Sequence, residues 1–98
     1  MKSKLVRDKI PEIKRAEGES PRTHIASQEE YKKRLREKLS EEVDEFLSEE
    51  NVEEYVDMLE VLEAIKNAYQ FDNSEITKTR KEKAEKKGTF SKRIVLDN

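Results

Sequence analysis

Between residues 41 and 63 the chain carries eleven acidic side chains and no basic one, yet apolar residues recur at helical period through the same stretch. Helices crowded with one sign of charge repel themselves unless something positive sits between them or water covers them. Within the run, Glu42 and Glu45 form one i,i+3 pair and Glu54 and Asp57 a second. That spacing puts both carboxylates of a pair on one face of a helix. Four carboxylates converging from two helices are hard oxygen ligands of the kind that Mg²⁺ or Mn²⁺ takes, and nothing softer is present. Helical E-x-x-E also arises easily in an acid-rich chain, so on spacing alone a solvated acidic face stays open beside a metal site.

The apolar residues say where these carboxylates sit. Ser27-Gln28-Glu29-Glu30 has the S-x-x-E form of a capping box, and Tyr31, Leu35, Leu39, Val43, Phe46 and Leu47 follow as an unbroken helical stripe. A first long helix is therefore expected over 28–49, with Glu42 at the margin of the stripe and Glu45 about 60° beyond it. Glu49-Glu50-Asn51 breaks it, since acids in a last turn oppose the helix dipole. A second helix over 52–70 carries a broader stripe, including Tyr55, Val56, Leu59, Val61, Leu62 and Ile65, which predicts deeper burial. Leu39 and Leu62 are expected in the core. The short connection makes the two helices antiparallel neighbours. The fold class expected is all-α.

Flanking elements are weaker. Pro11 suits the first turn of a short helix over 12–17 that Gly18 ends. His24, the only histidine, has no second histidine or cysteine with which to build a metal site, and a surface or packing role is expected. Asp72-Asn73-Ser74 caps a third long helix over 75–87, which has only Ile76 and Ala84 to pack. Residues 89–96 read as an extended tail with a short strand.

Ninety-eight residues make one domain, 1–98, with a modest core. At 33% hydrophobic and 45% charged residues, a monomer has little to pack with, and the stripes are too wide for two helices to cover each other. A homodimer or larger assembly is expected. The absence of cysteine removes disulfides and thiolate zinc sites. No apolar run reaches the length of a membrane span, and no signal-peptide core follows the first residues. These features predict a cytoplasmic protein with no membrane partner.

Charge is segregated as +5 over residues 1–40, −11 over 41–63 and +4 over 64–98. A nucleic-acid binder would have to fold its acidic centre away from the phosphates, so no nucleic-acid partner is expected. Basic arms around an acidic centre suit a ligand with phosphates at one end and metal-bridged oxygens in its middle. The opening arm offers Arg7 and Lys9 as phosphate contacts, and the tail offers Lys87, Lys92 and Arg93 around Gly88. Solvated, solubilising arms are the alternative for both.

Four segments in this order carry a family resemblance: K-L-V-R-D-K-I-P at 4–11, K-L-S-E-E-V-D-E-F at 38–46, E-E-Y-V-D-M-L-E-V at 53–61 and K-G-T-F-S-K-R-I-V-L at 87–96. Together the segments resemble the MazG-like all-alpha nucleotide pyrophosphohydrolases, close in kind to phosphoribosyl-ATP pyrophosphohydrolase. The resemblance implies an antiparallel helical domain assembled as dimers or pairs of dimers, and Mg²⁺-dependent hydrolysis of a nucleoside triphosphate to monophosphate and pyrophosphate. It places the family's metal-binding E-x-x-E on Glu42 and Glu45 and its E-x-x-D on Glu54 and Asp57. The extra acid falls on Glu41, which relatives use for a second metal or to orient water, and a basic residue one turn earlier falls on Lys38. Glu41, Glu45 and Lys38 are thus the implied catalytic groups. Two details differ: only eight residues separate Glu45 from Glu54, where longer connections are usual, and Gly88-Thr89-Phe90 stands where such relatives have Gly-Gly-Phe. The competing class is a non-catalytic helical module for oligomerisation or partner binding.

Overall fold

A computed structural model describes residues 3–97. Four α-helices follow one another: α1 (Ile10–Ala16), α2 (Gln28–Ser48), α3 (Val52–Ala68) and α4 (Asn73–Lys87). The all-α expectation is met, and among the described residues the tail beyond Gly88 forms no strand. A lone extended segment has no neighbour to supply a ladder of hydrogen bonds, so its β-branched residues are not enough.

Local chemistry explains where each helix starts and stops. Ser27 Oγ accepts the Glu30 N–H at 3.1 Å and opens α2. Only that half of the capping box forms, because the Glu30 carboxylate turns to His24 Nε2 at 3.0 Å and to Arg34 Nε at 3.3 Å. His24 accordingly has a surface role, as a hydrogen-bond partner of Glu30. Residues 49–51 reverse the chain, and Asn51 Oδ1 accepts the Glu54 N–H at 2.9 Å to open α3. At the end of α3, Gln70 takes the left-handed conformation (φ 57°). Its N–H donates to Asn67 O at 3.2 Å and that of Phe71 to Lys66 O at 2.9 Å, the two bonds of a Schellman motif. Gly18 (φ 88°) closes α1 in the same manner, with Gly18 N–H on Arg15 O and Glu19 N–H on Lys14 O, both at 3.0 Å. Asp72 caps α4 by accepting the Glu75 N–H at 3.2 Å.

Among the described residues, α2 and α3 are the only two helices that pack along one another. The antiparallel hairpin is pinned at its far end by Tyr69, whose hydroxyl accepts from Arg36 Nη1 at 3.1 Å while Lys32 Nζ lies 4.8 Å from the ring centroid. The core between them is small: Leu35 is 1% exposed and Val61 8%. Leu39 is only half-buried, and Leu62 remains 48% exposed. The expectation that the broader stripe of α3 is the more deeply buried one is therefore overturned. Its width exceeds what a single neighbouring helix covers, so Tyr55, Val56, Leu59 and Leu62 stay at the surface of one chain.

The N-terminal arm supplies some cover instead. Arg34 Nη1 donates to Ser3 O at 3.2 Å, and Arg7 Nη2 meets Asp57 Oδ1 at 2.8 Å. The arm thus lies across the hairpin, tied to α2 at one end and to α3 further along. A cleft of about 730 Å³ lies between arm and hairpin, with Leu5, Val6, Leu35, Val61 and Ala64 among its apolar walls.

Candidate metal centre

Glu42 and Glu45 stand on α2, Glu54 and Asp57 on α3. The antiparallel hairpin brings all four together, with one carboxylate oxygen from each lying within 4.8 Å of the others. The short connection between the helices does not prevent this. Because Asn51 caps α3 directly after a three-residue link, Glu54 and Asp57 fall in the first two turns of α3. The last two turns of α2, which hold Glu42 and Glu45, lie opposite. Oxygens this close together are within reach of one hard divalent cation, which these four residues would hold in part.

The electrostatics of the cluster are unbalanced. Glu42 is 6% exposed, the one buried charged residue among those described. Its Oε1 has Lys38 Nζ at 3.5 Å, while its Oε2 is buried without any hydrogen-bond partner. Glu54 Oε2 is orphaned in the same way. Buried polar atoms are almost always satisfied, so two orphaned acceptors in one carboxylate cluster point to a missing donor or cation. Burial raises the Glu42 pKa above the ordinary glutamate value, the Glu45 charge adds to the rise, Lys38 opposes it and Asp57 adds a little more.

The remaining candidate residues divide into two groups. Lys38 also reaches Glu41 Oε2 at 3.6 Å, so it stands between the cluster and the extra acid. Arg7, Lys9 and Lys38 line the cleft together with Glu42 and Asp57. By contrast, Lys87, Lys92 and Arg93 are exposed and contribute nothing to the cleft walls. Among the described residues α4, which leads into the tail, packs against none of the other helices. Thr89 takes no left-handed backbone conformation, so it is not strained in place of a glycine.

The structure adds cleft residues that sequence reasoning had not singled out: Lys4, Lys14 and Glu60. It also shows the Arg7–Asp57 pair, fifty positions apart in the chain. No periodicity or spacing signals a contact of that kind. No protein-family model, curated protein or solved structure matches the chain. No helix among the described residues is long and apolar enough to cross a membrane.

Proposed function

We propose that the protein is a Mg²⁺- or Mn²⁺-dependent nucleoside triphosphate pyrophosphohydrolase of the MazG-like kind, releasing pyrophosphate and a nucleoside monophosphate. The observation that carries this is the convergence of Glu42, Glu45, Glu54 and Asp57 around two buried, partnerless carboxylate oxygens. The donor set is all oxygen and strongly anionic, which fits a hard divalent cation better than zinc or copper. The basic and apolar cleft that shares Glu42 and Asp57 with the cluster fits a phosphorylated ligand with a less polar end.

In this proposal the four carboxylates hold the cation. When bound, the ion supplies charge neutralisation at the phosphate oxygens and lowers the pKa of a water beside it. Whichever of Glu41 and Glu45 is left off the ion orients that water or accepts its proton; Glu41 directly precedes the buried Glu42 and Glu45 follows it by one turn. Lys38 keeps Glu41 and Glu42 from repelling each other. Arg7 and Lys9, on the arm over the cleft, hold outer phosphates. Lys87, Lys92 and Arg93 would reach a ligand only at a site completed by a second copy of the chain, which accords with the α3 face left open in one protomer.

Calorimetric titration with Mn²⁺, run on the wild type and Glu54→Gln and followed by a pyrophosphate-release assay over a nucleotide panel, tests the proposal. Saturable binding and turnover by the wild type, with both lost in Glu54→Gln, are the expected outcome. Equal, negligible binding by both proteins would remove the enzyme from consideration and leave a helical oligomerisation module. Metal binding without turnover of any nucleotide would retain the metal centre and defeat the proposed reaction.

A further inference from the structure

The Arg7 guanidinium does more than border the cleft. Its Nη2 lies 2.8 Å from Asp57 Oδ1, inside the carboxylate cluster itself. The arm is otherwise tethered by Arg34 to the Ser3 carbonyl, and Arg7 is its only residue bonded to a cluster carboxylate among those described. The Arg7 side chain is 56% exposed and that of Asp57 39%, so the pair is open to solvent, whereas Glu42 of the same cluster is buried. Arginine cannot shed its proton, and its positive charge next to a divalent ion would be repelled. Meanwhile the orphaned oxygens of Glu42 and Glu54 are out of its reach: they have no hydrogen-bond partner at all.

From this geometry we infer that Arg7 is a built-in counter-cation of the metal centre: it holds Asp57 when no divalent ion is bound, is displaced when one binds, and is thereby released into the cleft to take an anionic ligand group. This rests on the metal centre proposed above and adds an order of events to it. The Arg7–Asp57 pair offsets part of the self-repulsion of the four carboxylates in the metal-free protein. A divalent ion takes over that role at all four residues. Arg7, freed on an arm that already carries Lys4 and Lys9 along the cleft, then becomes available to a phosphate or other oxyanion there. Metal binding and anion binding are coupled through one side chain. The opposite arrangement, in which Arg7 stays on Asp57 Oδ1 and helps orient Oδ2 toward the ion, makes the opposite prediction for its removal.

Calorimetric titration of the full chain with Mn²⁺ alone separates the two. Removing a competing exposed ion pair predicts about two- to fivefold tighter Mn²⁺ binding by Arg7→Gln than by the wild type. Lys9→Gln, which removes the same charge from the same arm without touching the cluster, should change affinity less. In a second measurement, Mg²⁺ should shift the Arg7 side-chain nitrogen resonance of the ¹⁵N-labelled wild type, assigned by its loss in Arg7→Gln. Unchanged or weaker Mn²⁺ binding by Arg7→Gln, an equal gain in Lys9→Gln, or an Arg7 resonance indifferent to saturating Mg²⁺ would each overturn displacement while leaving the metal centre standing. Absence of Mn²⁺ binding in wild type and Arg7→Gln alike would remove the centre and the inference together. Binding by Arg7→Gln alone would support the inference in its strongest form.

Discussion

Glu42 is the residue at which the demands of folding and of the candidate site conflict. Its position at the margin of the α2 stripe buries the carboxylate, while its neighbours Glu45 and Asp57 add negative charge and only Lys38 compensates. The folded-state pKa is therefore higher than that of the unfolded chain, so the native state binds a proton more tightly than the unfolded state does. The sign of the linkage follows: the cost of ionising Glu42 is absent below the ordinary glutamate range and grows as pH rises through the raised value. In chelator, thermal melts from about pH 4 to about pH 8 should show a loss of stability on raising the pH that Glu42→Gln removes. Saturating Mg²⁺ should shrink the same loss in the wild type. An identical pH slope in wild type and variant would mean that the carboxylate is not strained in the native state.

The helix is the scale at which binary patterning works and at which it misleads. Both α2 and α3 begin where their capping side chains put them, at Ser27 and Asn51, and the stripe of α2 turns Leu35 fully inward. Leu35→Ala should then destabilise by about 2–5 kcal/mol, because a large buried side chain leaves a cavity the hairpin refills poorly. Leu62→Ala should cost far less at concentrations where the protein is monomeric, since Leu62 is half in water there. Circular dichroism through thermal or urea unfolding measures both. Comparable losses at the two positions would show that the α3 face is covered even in one chain. Sequence pattern alone had put Leu39 and Leu62 in the core, where Leu39 is half-buried and Leu62 half-exposed, because periodicity reports which face is apolar and not whether anything lies against it.

At the scale of the whole molecule, the described chain is extended and leaves apolar surface open. Its radius of gyration is 17.6 Å, where a compact chain of this length has about 13 Å. Tyr55, Val56, Leu59 and Leu62 expose one side of α3, and Phe90, Ile94, Val95 and Leu96 are almost bare along the tail. The four exposed residues on one side of α3 are the kind of apolar patch that a partner surface covers, and the prediction is a homodimer. A homodimer packed through α3 would cover it with another copy of the same surface, as isologous interfaces do. Sedimentation equilibrium at micromolar concentration should give at least twice the 11.6 kDa of one chain, and Leu62→Lys should shift the equilibrium toward monomer. A monomeric wild type would rule out a site completed by a partner's tail.

Much of the fold and part of the site were legible in the chain because they depend on local spacing. Helix periodicity, the cap at Ser27, the break at 49–51, the glycine stop at Gly18 and the two i,i+3 acidic pairs are properties of a few consecutive residues, and local sterics and hydrogen bonding decide them. That Glu42, Glu45, Glu54 and Asp57 share one hairpin follows from the short link between two long amphipathic helices. What only the tertiary structure decided depends on residues far apart in the chain: the burial of Glu42 with its orphaned oxygen, the path of the arm over the cleft, the closure of Arg7 on Asp57, and the half-open face of α3. Burial and long-range ion pairing are set by what else occupies the surrounding space, and no pattern within a single helix encodes that.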